Sequence, residues 1–262
     1  MVENELSINN NVSLNDQFNR TALLYGNSAV NTLSQCRVAV FGIGGVGGYV
    51  CEALIRSGIG SIDIIDDDKV APSNINRQII ALHSTVGRYK TDVMQERLLD
   101  INPNVIIHNH KVFFTADNAD RFDFSDYDYV VDAIDSVSGK IALVQLCQQS
   151  NTPIISSMGA GNKIHADMFE VSDIYKTSVC PLARVMRSEL KKRGIKKLKV
   201  VYSKEPPRRP EIQISASYDT LPNDRKTSGS YVKQAPGSNA FVPSVVGLII
   251  AGEVINYLTR VK

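Results

Sequence analysis

The stretch that decides the fold is residues 38–48, which read VAVFGIGGVGG. An apolar run leads directly into a glycine-rich turn, and the segment that follows, YVCEALIRSGIG, is typical of a helix. In such a strand–turn–helix unit, glycines let the backbone approach a phosphate closely, and the N–H groups at the helix start suit anionic oxygens. A glycine-rich turn without a ligand is the alternative. The sequence therefore predicts a nucleotide site with four cofactor-binding glycines, Gly42, Gly44, Gly45 and Gly47.

The composition is that of a globular protein with a substantial core. The 262 residues are 43% hydrophobic and 21% charged, which allows one large domain or two small ones. The formal net charge of +2 provides no overall attraction to nucleic acid, and DNA is not expected as a partner. None of the four cysteines belongs to a CxxC pair, so a four-thiolate zinc site is excluded and a reducing cytoplasm is favoured.

The two terminal segments argue against a membrane location. The N-terminal segment MVENELSINNNVSLND is polar and has no apolar core of a signal peptide, and residues 1–17 are expected to form a flexible arm. Residues 241–258 are apolar but include Glu253 and Asn256, which favours a buried core helix over a membrane span. We therefore expect a cytoplasmic protein rather than one attached to a membrane surface.

Strand-like and helix-like runs alternate between residues 37 and 157. Such alternation predicts an α/β, Rossmann-like, doubly wound and mostly parallel sheet with helices on both faces. A helical segment at 18–34, with Asn19 or Asn31 as its cap, is expected to precede it. The strands are expected at 37–41, 61–66, 105–112, 129–133 and 153–157, and the helices at 48–57, 90–102 and 138–149.

The pattern is less regular beyond residue 161. The segment 204–238 is rich in Pro, Ser, Gly and charge, and it is too long for a simple connection, so a crossover loop is expected there. We divide the chain into the arm at 1–17, a nucleotide-binding unit at 18–162 and an extended C-terminal part at 163–262 packed on the same domain. The expected elements of the last part are a strand at 167–174, a basic helix at 182–193, a strand at 198–202 and a closing apolar helix from 241.

Charged side chains are expected to converge beside the glycine turn. Asp66 ends the second predicted strand, nineteen residues past Gly47, where an acidic side chain fits ribose hydroxyls. Asp135 follows the fourth strand, and strand ends share one edge of a doubly wound sheet. Arg77 and Lys90 lie on connections at that edge, although each read alone could be an ordinary surface residue. Two cations and a second carboxylate suit the β- and γ-phosphates and Mg²⁺ of ATP better than NAD.

Four motifs together resemble the ubiquitin-activating-enzyme-like adenylating proteins. They are GIGGVGG at 42–48, DDDKVAPSNINRQ at 66–78, GRYKTD at 87–92 and VDAID at 131–135, and the resemblance covers about residues 18–162. It implies that ATP and Mg²⁺ are the cofactors, that Asp135 holds the metal, and that Arg20, in FNRTALLYG, reaches the γ-phosphate across a homodimer interface. The implied catalytic residues are Arg77, Lys90, Asp135 and Arg20, and the implied nucleotide-binding residues beside the glycines are Asp66, Asp68, Asn74, Arg77, Gln78 and Lys90.

The C-terminal part resembles one branch of that family, the tRNA threonylcarbamoyladenosine dehydratases. The similar stretches are VSDIYKTSVCPLARVMRSELKKRGI at 171–195, SKEPP at 203–207 and GSNAFVPSVVGLIIAGEVI at 237–255. This resemblance implies ATP-dependent cyclisation of N6-threonylcarbamoyladenosine at tRNA position 37, through adenylation of the threonyl carboxylate. It is also compatible with a monovalent cation and a sulfur-acceptor protein as further ligands. Cys180 is the best candidate if a thiol takes part, although a spectator thiol is the simpler interpretation.

The positive charge is concentrated in residues 184–209, which contain eleven Lys or Arg and two Glu. A patch of this kind on an otherwise acidic body suits an RNA backbone, whereas a solvated basic helix is the alternative. The residues expected to contact tRNA are Arg187, Lys191, Lys192, Arg193, Lys196 and Lys197.

Three other functions compete with tRNA cyclisation. The alternative within the family is adenylation of the C-terminal glycine of a small sulfur-carrier protein, but such enzymes usually have the zinc cysteines that this sequence lacks. A non-catalytic nucleotide sensor would not need the cations implied at the γ-phosphate. A nicotinamide oxidoreductase is the least compatible with the charged residues beside the glycine turn.

Overall fold

The computed structural model describes residues 17–209, 211 and 236–260. Nearly all of the predicted N-terminal arm at 1–17 and most of the predicted crossover loop at 204–238 lie outside these residues. Within them, one sheet has the strand order β3-β2-β1-β4-β5-β7-β6, which confirms the predicted α/β fold class. The strands are β1 (Arg37–Phe41), β2 (Ser61–Ile65), β3 (Ile106–His110), β4 (Tyr129–Asp132), β5 (Ile154–Ser157), β6 (Phe169–Asp173) and β7 (Lys199–Ser203).

Helices cover both faces of the sheet, as expected for parallel strands joined by crossovers. They are α1 (Asn19–Tyr25), α2 (Asn27–Leu33), α3 (Gly47–Ser57), α4 (Lys90–Ile101), α5 (Val137–Ser150), α6 (Pro181–Lys192) and α7 (Val242–Thr259). The single helical segment expected at 18–34 is two helices, because Gly26 interrupts it with φ of +83°. The expected caps Asn19 and Asn31 are wrong: the cap positions belong to Phe18 and Gly26, and neither makes a side-chain capping bond.

All strand pairs are parallel except β6 with β7, which is antiparallel. The strand order reverses between β1 and β4, and ligands of open α/β sheets bind at such a switch point, outside the carboxyl ends of the strands. The six parallel strands, β1 to β5 and β7, all end on the same side of the sheet; we call this side the carboxyl edge and the side where they begin the amino edge. The two strands of the C-terminal part extend the sheet formed by the preceding strands.

The closing helix α7 is part of the core. Val246, Ile250 and Val254 are fully buried, and the helix packs against α3. A Cβ at Gly247 would lie 2.5 Å from the carbonyl oxygen of Val46, so the glycine permits this close approach. Among the described helices, α7 alone is long and apolar enough to cross a membrane, and 44% of its span is buried inside the fold.

Candidate active site

The glycine turn between β1 and α3 contains two kinds of glycine. Gly42 has φ of +92°, and a Cβ there would lie 2.7 Å from the carbonyl oxygen of Ala133 in the neighbouring loop. A Cβ at Gly47 would lie 1.8 Å from the Gly42 carbonyl oxygen, so Gly47 closes the turn upon itself. Gly44 and Gly45 have no backbone atom of another segment so close, and both face the cleft at the carboxyl edge. The turn therefore leaves two glycines available to a phosphate.

This cleft has a volume of about 280 Å³ and lies at the switch point between β1 and β4. The structure brings ten predicted site residues to its walls, from five separate segments of the chain. They are Gly42, Gly44, Gly45, Asp66, Asp68, Asn74, Arg77, Gln78, Lys90 and Asp135. Gly47 and Arg20 do not line it.

Lys90 and Asp66 form the buried part of the charged wall. Lys90, at the first residue of α4, is 5% exposed, and its Nζ lies 2.7 Å from Asp68 Oδ2 and 3.5 Å from Asp66 Oδ1. Asp66 accepts hydrogen bonds from the backbone N–H of Ile43 at 2.7 Å and of Asp68 at 2.9 Å. Burial raises the pKa of Asp66 despite these interactions, since removal from water penalises its charge. Asp68 is exposed, so an incoming anion can take its place as a partner of Lys90.

The connection after β2 supplies the second cation. Asn74 Oδ1 accepts a bond from the Ala71 N–H at 3.0 Å and so shapes the turn that precedes Arg77. Arg77 donates from Nη1 to the Ser73 carbonyl at 2.7 Å and to Asn76 Oδ1 at 3.0 Å. Among the described residues no carboxylate forms an ion pair with Arg77, and burial lowers its pKa. Its guanidinium is therefore available to an anion.

Asp135 lies on the loop that follows β4 and is exposed at the cleft wall. The first turn of α5 begins immediately after it, and the Ser136 hydroxyl accepts a bond from the Gly139 N–H at 3.3 Å. A carboxylate at the wall of a cleft offers the oxygen ligands that Mg²⁺ prefers, and phosphate oxygens of a bound nucleotide and water would complete the shell. The donor set thus fits magnesium, and Asp135 is the residue that would hold it.

One wall of the cleft was missed by the sequence reasoning because it carries no charge. Ile65, Val112, Phe113 and Ile134 line it, and Phe113 is 41% exposed. These residues provide an apolar surface suited to a nucleotide base. The available signal was the run VFF at 112–114, one residue after β3, a further strand that ends at the carboxyl edge.

Arg20 lies far from the cleft of its own chain. The segment before α1 packs where α3 and α4 end: a Cβ at Gly58 would lie 3.6 Å from the Phe18 ring, and Gln17 Nε2 donates to the Ile101 carbonyl at 2.5 Å. Both helices run from the carboxyl edge to the amino edge, so Arg20 is exposed at the amino edge. Any contact of Arg20 with a nucleotide must therefore be made in the cleft of a second chain.

The predicted tRNA contacts are also remote from the cleft. Helix α6 begins at the carboxyl edge, where Cys180 Sγ is 3.9 Å from a Cβ at Gly159, and the chain reaches the amino edge before β7 starts. Arg187 donates to the Thr177 carbonyl at 3.0 Å, and Lys192 and Arg193 pair with Glu189. The remaining residues, Lys191, Lys196 and Lys197, are exposed near the amino edge. Cys180 itself is 2% exposed.

A smaller basic group lies at the carboxyl edge. Lys204, Arg208 and Arg209 follow the end of β7 and are exposed. The Arg208 N–H donates to the Asn162 carbonyl at 2.8 Å, and the Asn162 N–H donates to Gly237 at 2.7 Å. The segment after Gly237 lies beside the connection that carries Arg77, where Asn76 Nδ2 donates to the Ser238 carbonyl at 3.1 Å. The distribution of charge along the sequence did not separate these two basic groups.

Comparisons with known proteins identify the family of this chain. The sequence profile of the ThiF family matches residues 18–262. The tRNA threonylcarbamoyladenosine dehydratase of Bacillus subtilis is 43% identical over 245 residues, covering 93% of this chain and 95% of the relative. The Haemophilus influenzae protein of the same name is 32% identical, covering 94% of each. The Escherichia coli tRNA N6-threonylcarbamoyladenosine dehydratase, solved with ATP, superimposes with a TM-score of 0.82 at 33% identity, covering 94% of this chain and 95% of that one. The chain therefore belongs to the ThiF family, within its branch of tRNA threonylcarbamoyladenosine dehydratases.

Proposed function

We propose that this protein uses ATP to cyclise N6-threonylcarbamoyladenosine at tRNA position 37. The observation that carries the proposal is the cleft at the switch point, in which two open glycines, two cations and Asp135 converge. Relatives that match almost the whole chain are named tRNA threonylcarbamoyladenosine dehydratase, and structures of the Escherichia coli enzyme contain ATP or AMP. Adenylation of a carboxylate consumes ATP and releases pyrophosphate, and the displacement that follows releases AMP.

The cleft residues divide the work of binding ATP. Asp66 is oriented by two backbone N–H groups toward a ribose, and the apolar wall at Val112 and Ile134 takes the base. Gly44 and Gly45 let backbone N–H groups approach the phosphates at the start of α3. Lys90 and Arg77 then neutralise phosphate charge, and magnesium held by Asp135 would supply further charge neutralisation.

The chemistry requires two displacements. An oxygen of the threonyl carboxylate attacks the α-phosphorus, the bond to the bridging oxygen breaks, and pyrophosphate leaves. A nucleophilic N or O atom of the same threonylcarbamoyl group then attacks the activated carbonyl carbon, loses its proton and expels AMP. The overall change is loss of one water from the nucleoside. Because attack within one molecule has a high effective concentration, no enzyme nucleophile is needed, which agrees with the burial of Cys180.

The position of Arg20 supports a homodimer with shared sites. Leu23 and Leu24 on the same helix are 85% and 83% exposed, and Leu248 on α7 is 50% exposed. Two adjacent, almost fully exposed leucines on one helix are typical of a surface that a partner covers. A second copy seated there would bring Arg20 from the amino edge of one chain to the carboxyl edge of the other.

The RNA surface follows from where the reacting nucleoside must lie. The threonyl carboxylate has to reach the α-phosphate, so the RNA must approach the carboxyl edge. Arg208 and Arg209 lie at that edge, whereas Lys191 and Lys197 lie near the opposite one. We expect the first pair to contact the RNA near the modified base. The residues that the sequence predicted to bind tRNA, such as Lys191 and Lys197, contact the RNA only in one of two arrangements. Either the RNA also extends along the amino edge, or the second chain of a dimer brings its own copies of these residues to the RNA.

The alternative within the family, adenylation of a sulfur-carrier protein, is not favoured by the names of the similar proteins. A sulfur-acceptor partner, a monovalent cation and a cytoplasmic location stay predictions.

The test uses purified protein, ATP, Mg²⁺ and tRNA from a strain that lacks the dehydratase. Mass spectrometry of the digested nucleosides should show threonylcarbamoyladenosine lighter by one water. Asp135→Ala should abolish the product, and Arg77→Ala should reduce it sharply, whereas Asp120→Ala removes an exposed acid outside the cleft and should not. An unchanged nucleoside mass with a protein that binds ATP would refute the tRNA reaction.

A further inference from the structure

A fully buried ion pair lies directly behind the loop that carries Asp135. Lys140, in the first turn of α5, is 1% exposed, and Asp132, the last residue of β4, is completely buried. The Lys140 Nζ donates to Asp132 Oδ1 at 3.0 Å and to the Ser157 carbonyl at 2.8 Å, and it lies 3.4 Å from Ser156 Oγ. The Ser156 hydroxyl donates to the other oxygen of Asp132. Every strong hydrogen-bonding group of the pair is therefore satisfied.

Burial of this pair is not explained by stability alone. Removing two charges from water costs several kcal/mol each, and replacing a buried ion pair by apolar residues of similar volume is often neutral or stabilising. Asp132 and Lys140 lie between β4, β5 and α5, where Leu143 and Val130 are also fully buried, so apolar side chains already pack on these elements. A buried pair retained in such surroundings can instead select one conformation of the adjacent backbone.

The backbone that this pair contacts is the metal loop, residues 133–136. The Ile134 N–H donates to Asp132 Oδ1 at 3.3 Å, and the other end of the loop is held by the bond that Ser136 makes with Gly139. Asp135 lies between these two fixed points and is itself exposed at the cleft. Lys140 thus fixes the carboxylate of Asp132, and that carboxylate accepts a hydrogen bond from the backbone N–H of Ile134, the residue before Asp135.

We propose that Lys140 is a positioning residue: through Asp132 it sets the orientation in which the Asp135 carboxylate meets the metal bound with ATP. This inference rests on the proposed function for the role of Asp135. Without the ammonium, Asp132 is left as an uncompensated buried carboxylate and turns toward other donors, and the Ile134 N–H loses its partner. The loop then samples several conformations, and metal affinity falls although no metal ligand has changed.

The test measures Mn²⁺ binding by electron paramagnetic resonance with a non-hydrolysable ATP analogue and no RNA. Lys140→Met should weaken Mn²⁺ binding about fivefold or more, which is somewhat less than the 10–100-fold typical of partners that contact a metal ligand directly. Asp132→Asn keeps the side-chain shape and should give the same direction if Lys140→Met does not fold. The matched control is Arg97→Met, which removes a cation 2.6 Å from the buried Glu52 between α3 and α4, outside the cleft.

Weaker Mn²⁺ binding in the Lys140 or Asp132 variant, with wild-type binding in the Arg97 variant of comparable Tm, would support the proposal. A folded Lys140→Met or Asp132→Asn protein with wild-type Mn²⁺ affinity would overturn it, as would equal loss in the Arg97 control. The binding assay contains no RNA, so a failure of the tRNA reaction in the wild-type protein would leave this result interpretable. If wild-type protein failed to bind Mn²⁺ with the analogue, the proposed function and this inference would both be refuted.

Discussion

Substituting Gly47 and Gly45 separately distinguishes the two kinds of glycine in the nucleotide turn. A Cβ at Gly47 would lie 1.8 Å from the Gly42 carbonyl oxygen, and real Cβ contacts are essentially never shorter than 3.0 Å. The turn must therefore open by about 1.2 Å in Gly47→Ala, and the atom in the way belongs to the backbone rather than to a flexible side chain. Overpacking of a well-packed site costs about 1–3 kcal/mol, and this overlap belongs at the upper end.

A cost of about 3 kcal/mol has a measurable thermal effect. For a chain of this size, each 1 kcal/mol lowers Tm by about 2–4 °C, so Gly47→Ala should melt about 6–12 °C below wild type without any nucleotide. Gly45→Ala provides the contrast. Its Cβ would meet side-chain atoms of Pro243 at 3.2 Å and of Arg77 at 3.4 Å, both of which can move by a few tenths of an ångström. We expect its Tm to fall by less than about 3 °C, but its methyl group occupies the surface that a phosphate must approach.

The assay is differential scanning fluorimetry with and without MgATP, since a ligand that binds only the folded state raises Tm in proportion to its affinity. Gly45→Ala should have near wild-type Tm alone and lose most of the nucleotide-induced shift, which corresponds to at least about tenfold weaker binding. Gly47→Ala should already be destabilised alone. A Gly47→Ala protein that melts within about 2 °C of wild type would show that the turn tolerates the methyl group, and the close packing inferred here would be wrong.

Three further changes test other parts of the structure. Lys90→Met should weaken ATP binding about 10–100-fold in calorimetry, because a charge-assisted bond to phosphate contributes about 1.5–3 kcal/mol; unchanged affinity would remove Lys90 from the phosphate site. Burial opposes ionisation of Asp63, but hydrogen bonds from His110 and Arg37 lower its pKa, so its stabilising effect is present above the unfolded pKa of about 3.9 and is lost as pH falls below it. Asp63→Asn should flatten the dependence of the urea midpoint on pH below about pH 4, and an equally steep dependence would refute this. Leu24→Asp should shift the protein toward monomer in sedimentation and reduce ATP turnover, whereas a dimer of wild-type activity would exclude this face.

The sequence by itself determined the fold class and most of the cleft. The alternation of strands and helices required a parallel sheet, and the shared carboxyl edge of parallel strands brought Asp66, Lys90 and Asp135 beside the glycine turn. These predictions depended on local periodicity and on a topological rule, both of which can be read along the chain. The boundaries were also close: the helix expected at 138–149 is Val137–Ser150, and the strand expected at 37–41 is Arg37–Phe41.

Only the tertiary structure decided what depends on distances between remote segments. Gly45 and Gly47 are equivalent in a motif, but one faces the cleft and the other touches a carbonyl of its own turn. Lys140 is one lysine of a helix in the sequence, whereas in the fold its ammonium is buried against Asp132. Arg20 and the lysines after α6 lie at the edge opposite the cleft, because a helix that starts at one edge of a sheet ends at the other. Sequence spacing fixes neighbours within an element, but the face and the edge that a side chain occupies are set by how the elements pack.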